Sequence, residues 1–385
     1  MRCCVEDALR ALVDANMPQN RTASALRWKQ SAKRIIGLFC PYVPEEIIYA
    51  AGMLPWRVTG RWNAATPQAA SYWPAHMCQQ YAGHVLESFL DGQLDFLDGI
   101  VVTDCDDTAR RLVDVLGEVG KPQFRHLLHV PHHTRESALP GMVRSVTTFA
   151  QALEAYAGAA IGEDALRESI GVANRTRALL TTVYELRKRK VPALSGAEAL
   201  GITTAAMITP KLKFNEDLAG LLPYLQEREV RLAKLRPRLL ICSDQLDNPA
   251  TIAAIEELGC LVAMDDMDTG SRYVEQMVPA AGEPALLALS RRYLHRSACP
   301  RMFTWDEQVA RLARLTLDYR IDGVLNLPYV YSYWRQCISP YLGDHCASLG
   351  IPFFTIEIPY GLENVRQLQT RAGAFIEMLA TEVAL

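Results

Sequence analysis

The chain has 385 residues, half of them hydrophobic and 22% charged, an ordinary globular balance that argues against a disordered or fibrous protein and predicts two or three domains. A formal net charge of −3 supplies no basic field for a nucleic-acid backbone, so no nucleic-acid partner is expected. No apolar run approaches the roughly 20 residues of a membrane span, and the opening MRCCVEDALRALVDANM lacks the pattern of a signal peptide, so the expectation is a cytoplasmic protein with no membrane attachment.

In chain order, RIIGLFC (34–40) reads as a strand and EEIIYAAG (45–52) as a helix closed by Gly52. LPWRVTG (54–60) and DGIVV (98–102) read as further strands. Pro44 ahead of Glu45 and Glu46 suits a helix first turn, where a missing N–H is harmless and acidic groups favour the dipole. From about 141 to 235 the strand signal gives way to Ala, Leu, Arg and Glu, which predicts helices. The run RKRK (187–190) reads as a solvated helix end. Near Pro237 a second α/β unit begins, with RLLICSD (238–244), CLVAMDD (260–266), DGVLNLP (322–328) and IPFFTIEIP (351–359) as strands.

These strands have few alternating polar positions, which predicts parallel sheets covered on both faces. The expected fold is α/β: two doubly wound parallel-sheet domains with a helical segment between them, divided as 1–140, 141–235 and 236–385. In such folds ligands gather at the carboxyl ends of the strands.

No GxxxxGK[ST] loop and no GxGxxG follows a strand, so neither ATP hydrolysis nor conventional dinucleotide binding is expected of the chain itself. GxSxG and HExxH are also absent. His126, His129, His132 and His133 match no metal-ligand spacing and read as loop or strand-end residues. Ten cysteines in a reducing compartment are expected as free thiols or metal ligands. Cys78, Cys105 and Cys337 stand out because each lies at the end of a predicted element. Cys105 precedes the helical DDTARRLVDVL, where a helix N-terminus favours the thiolate. Thiolates at strand ends are what an iron–sulfur cluster requires, while buried structural thiols are the alternative.

The segments GLFCPYVPEEIIYAAGMLPWRVTG, DGIVVTDCD, SGAE (195–198), DGVLNLP, GIPFFTIE and RQLQTRAGAFIEML together resemble the 2-hydroxyacyl-CoA dehydratase and benzoyl-CoA reductase subunit family, over nearly the whole chain. The resemblance implies flavodoxin-like domains and a [4Fe–4S] cluster held by three cysteines. It also implies a CoA thioester substrate, a paralogous second subunit in a heterodimer, and electrons from an ATP-dependent iron–sulfur activator. Cys78 and Cys105 match two of the ligand positions, and Glu46 matches an acidic residue that can shuttle a proton. The third ligand position falls on Ser332. Cys337 takes that place only with a shifted loop and a later helix start; Ser332 itself, Cys299 or the absence of a cluster are the alternatives.

Overall fold

A computed structural model describes the chain apart from residues 1, 63, 73–78, 231, 233, 235, 297–298, 361–364 and 384–385, and apart from the side chains of 2–3 and 382–383. The apolar runs become β1 (Ile35–Leu38), β2 (Leu54–Arg57), β3 (Gly99–Thr103) and β4 (Phe124–Leu128) of one sheet, and β5 (Arg238–Ser243), β6 (Leu261–Asp266), β7 (Gly323–Leu327) and β8 (Phe353–Thr355) of a second. All pairings are parallel, in the orders β2-β1-β3-β4 and β6-β5-β7-β8. The two orders are the same when each sheet is counted from its first strand. This is the doubly wound arrangement expected from the sequence.

Every residue of β1, β2, β3, β5 and β7 is buried, because helices cover both faces. β4 was not among the expected strands. It lies at a sheet edge with its middle residues half-buried, so its FRHLL sequence carries Arg125 and His126 in place of a continuous apolar run. The helix Glu45–Ala50 joins β1 to β2 and stops at Gly52, whose φ of +72° suits a residue without a Cβ.

Between the sheets run the helices Leu139–Ala157, Glu163–Leu186, Gly196–Ala206 and Lys211–Glu227. The basic run at 187–190 is only partly solvated. Arg187 is 1% exposed and its guanidinium donates to the Val262 carbonyl at 3.0 Å and to Asp265 at 3.3 Å. The N-terminal helix Arg2–Val13 packs on Gly196–Ala206 and Lys211–Glu227, so Leu9 and Leu12 share a core with Leu240 and Cys242 of β5. A second core runs unbroken from Trp56 and Ile100 of the first sheet to Ile241 and Leu325 of the second. Among the described residues, no helix is long and apolar enough to cross a membrane.

The SGAE segment has a local explanation. Ser195 caps Gly196–Ala206 and Glu198 reaches back to its backbone, a reciprocal capping box. The N–H groups of Gly196 and Ala197 donate to Glu256 at 2.8 and 3.3 Å. A Cβ at Gly196 would lie 2.6 Å from the Val262 Cβ and 2.8 Å from its carbonyl oxygen. Backbone cannot yield as a side chain can. Gly196→Ala is therefore expected to destabilise the protein by about 1–3 kcal/mol, read as a lowered urea midpoint, with Gly171→Ala, which meets nothing within 4 Å, as the tolerated control.

Candidate functional site

In an open parallel sheet the ligand crevice lies where strand order reverses, outside the carboxyl ends of the two strands that flank the switch. In the first sheet those strands are β1 and β3. Cys40 follows β1 by two residues and Cys105 follows β3 by two. Because the strands are neighbours, the thiols meet in a hydrogen bond, at 6% and 7% exposure. The Thr103 hydroxyl lies 3.0 Å from the Cys105 Sγ.

Within this pair one thiol ionises more readily at the expense of the other. Burial opposes ionisation of Cys40, but the hydrogen bond from Cys105 brings it down to about 7. That same bond, with burial, pushes the Cys105 thiol well above its ordinary range. The sequence suggested the opposite for Cys105, from the helix that follows it. The start of that helix, Asp107–Val119, is instead capped by Asp106, whose carboxylate accepts from the Ala109 N–H at 2.8 Å and opposes a neighbouring thiolate.

In the second sheet the switch lies between β5 and β7. Asp244 and Gln245 follow β5, and Ser332 sits just before the first turn of the helix Tyr333–Ser348 that follows β7, without a capping hydrogen bond. Ser332 is fully buried and its hydroxyl has no hydrogen-bond partner. Nearby, Asp266 is ringed by cations. Burial opposes its charge, but Arg272, Arg311 and Arg335 hold its carboxyl far below the usual carboxylate range.

Arg301 ties the two switch points together. It is 2% exposed, its Nε donates to Asp106 at 2.5 Å, and its guanidinium lies within electrostatic reach of Cys105, Cys299 and Asp244. The His132 ring donates to the Arg301 carbonyl at 2.9 Å, fastening this loop of the second lobe to the first. Cys299, 3% exposed, is part of the same loop.

The expected site residues separate under this geometry. Cys78 lies outside the described residues; the next residue, Gln79, is buried at the start of helix Gln80–Leu90. Cys105 stands at the first switch point. Cys337 is exposed on Tyr333–Ser348, and that helix begins directly after Ser332, so the later helix start that would bring Cys337 inward does not occur. Glu46 is 1% exposed with both oxygens engaged, one by the Arg177 guanidinium and the other by the Tyr293 hydroxyl at 2.8 Å. Of the four histidines, His126 lies in β4, His129 bonds Asp104 at 2.7 Å, and His132 holds the Arg301 carbonyl. Among the described residues, no three His, Cys, Asp or Glu side chains converge to hold a single metal ion.

Sequence reasoning missed Asp244, Arg301 and Arg335. Asp244 closes a predicted strand, RLLICSD, and that position at a strand's carboxyl end was the available signal.

A profile described as 2-hydroxyglutaryl-CoA dehydratase, D-component matches residues 40–379. The chain belongs to this dehydratase family. It is similar to the Escherichia coli K12 protein YjiM, which carries the name of a dehydratase subunit, at 27% identity over 91% of this chain and 93% of that one. It is similar to a benzoyl-CoA reductase subunit of Thauera aromatica at 24% identity, over 92% and 94% of the two chains. The beta subunit of (R)-2-hydroxyglutaryl-CoA dehydratase from Acidaminococcus fermentans also stands at 24%, over 92% and 94%. This member of the dehydratase family is thus an enzyme subunit of the acyl-CoA dehydratase and reductase type.

The [4Fe–4S] cluster implied by the resemblance can be tested against these residues. Cys105 offers a soft donor at one switch point, and the unpartnered Ser332 hydroxyl offers an oxygen at the other. Cys78 lies outside the described residues and Cys337 is exposed, so the described residues offer Cys105 and the Ser332 hydroxyl as donors.

Proposed function

We propose that this chain is one subunit of an enzyme that removes water from an (R)-2-hydroxyacyl-CoA. The supporting observation is the match to the dehydratase family along most of the chain, with Cys105 at one switch point and Asp244 at the other both within electrostatic reach of Arg301. A [4Fe–4S] cluster bound by Cys78, Cys105 and Ser332 would supply a single low-potential electron, delivered to it by an ATP-dependent iron–sulfur activator protein. One electron placed on the thioester carbonyl gives a ketyl, which expels the 2-hydroxyl as hydroxide. Loss of a proton and return of the electron leave an unsaturated acyl-CoA and water.

In this reading the buried seam keeps bulk water away from the reduced thioester, and Arg301 provides positive charge beside the carbonyl as it becomes anionic. Glu46 anchors the lobes by its ion pair with Arg177, since neither of its oxygens faces the seam free. The subunit works with a paralogous second subunit in a heterodimer, in the cytoplasm.

The test is an iron and sulfide count on anaerobically purified and reconstituted protein, which should approach four of each per chain. Protein that stays colourless would defeat the cluster assignment. The exposed Cys337 and the hydroxyl at position 332 would then favour a second reading, a cluster-free partner subunit that shapes the interface and substrate tunnel. Reduction of a benzoyl-CoA-type ring is the alternative reaction, favoured by the match to the Thauera aromatica protein.

A further inference from the structure

A cavity of about 20 Å³ lies where the two lobes meet, with Cys40, Glu45 and Arg57 of the first lobe and Tyr273, Arg292 and Tyr293 of the second among its walls. Arg57, the last residue of β2, is 3% exposed, and its Nε and Nη2 have no hydrogen-bond partner. Two more buried guanidinium groups stand close by. Arg292 donates to the carbonyls of Gln276 and Glu275 at 3.2 and 3.1 Å, and Arg296 to those of Pro41 and Arg272.

The carboxylates of this region are already matched. Glu45 accepts from the Tyr273 hydroxyl at 2.8 Å and lies 3.1 Å from the Lys211 Nζ. Glu46 is held by Arg177 and Tyr293, and Asp268 lies 3.1 Å from the Arg272 guanidinium. Among the described residues no carboxylate forms an ion pair with Arg57, Arg292 or Arg296, so buried positive charge is left in excess. Arg292 registers it: burial, and then the charges of Arg177 and Arg296, lower its guanidinium to about 10. A buried charge without a partner is costly. Arg57 offers the cavity donors only. A water would accept from them but find the carboxylate oxygens of the wall engaged, whereas an anion answers both the donors and the charge. The volume admits one particle of about the size of a water or slightly more, which excludes phosphate or sulfate.

We propose that this cavity is the binding site of a single halide ion, chloride in the cell, which accepts from the Nε and Nη2 of Arg57 in the positive field of Arg292 and Arg296. The ion takes no part in the reaction proposed above, and its assignment does not rest on that reading. Its walls come from the strand ends of the first lobe on one side and from helices of the second on the other. The bound ion therefore fastens the lobes from within, beside the Cys40 and Cys105 pair.

The test uses bromide as the probe and the anaerobically purified full chain. Crystals grown with sodium bromide should show an anomalous bromine peak within hydrogen-bonding reach of the Arg57 Nε and Nη2. In solution, sodium bromide titrated against sodium gluconate at constant ionic strength should raise the urea midpoint and then level off, as for a ligand that binds only the folded chain. Arg57→Met should lose both the peak and the saturable rise. If Arg57→Met does not fold, Arg57→Lys decides, and it should shrink the rise. Water alone in the cavity overturns the inference and leaves the Arg57 charge to the Cys40 sulfur. A peak without a saturable rise overturns it too, as binding at crystal concentration only, and so does a rise kept in full by whichever variant folds.

Discussion

Arg177→Met is expected to lower the unfolding free energy by about 3–5 kcal/mol, the range for removing one partner from a buried ion pair. The pair joins three parts of the chain: Glu46 on the short helix after β1, Arg177 on the long linking helix, and Tyr293 on a helix of the second lobe. The side chains of Arg177 and Glu46 are 2% and 0% exposed, so the carboxylate left by Arg177→Met has no water to turn to. Glu46→Gln combined with Arg177→Met should recover a large part of the loss, because a neutral pair needs no counter-charge. Urea unfolding of Arg177→Met, Glu46→Gln and the double variant measures this, and an Arg177→Met protein within about 1 kcal/mol of wild type would show that the ion pair does not fasten the lobes.

The same pair fixes the sign of a pH effect. Burial alone would raise the Glu46 carboxyl, but Arg177 and Arg292 outweigh it and hold it below its ordinary value of 4.5. A carboxyl depressed in the folded state adds stability that is complete above its unfolded value and disappears as pH falls through the folded one. The contribution should therefore be level between about pH 6 and 8 and decline below about 4.5. Glu46→Gln should remove that part of the acid dependence.

Cys105→Ala is expected to abolish iron binding, whereas Cys337→Ser should leave the iron and sulfide counts unchanged. Cys105 is fixed at the end of β3, where Thr103 and Cys40 hold its sulfur, while Cys337 is exposed on a helix face. Ser332→Cys places a thiol at a fully buried hydroxyl, and the reconstituted variant should hold its iron at least as tightly as wild type under chelator challenge. Cys40→Ala should keep iron and lose about 1 kcal/mol or somewhat more from packing. Full iron in Cys105→Ala, or its loss in Cys337→Ser, would reverse the ligand assignment.

How far the sequence alone reaches can be seen residue by residue. Strands such as RIIGLFC and DGVLNLP are legible because burial on both faces demands an apolar run, whereas β4 is hidden because an edge strand tolerates Arg125 and His126. Ser332 was singled out only by the resemblance, which places a ligand position there. Its isolation from Cys337 was not legible, since a helix start depends on where the preceding loop is held. RKRK shows the limit of charge as a guide to exposure, because Arg187 finds a buried carbonyl and carboxylate contributed by β6. Asp244, Arg301 and Arg335 are far apart along the chain, and only the folding of the second sheet and its covering loop unites them.

The identical strand order of the two sheets has a consequence for how such a protein changes over generations. Each lobe presents its own crevice, and the two are opposed like the jaws of a vice, so each contributes one wall to whatever lies between. A residue can be exchanged on one wall without rebuilding the other, since their backbones are fixed by separate sheets. The Cys105 thiol and the Ser332 hydroxyl stand on different walls, and either can change while the other keeps its place.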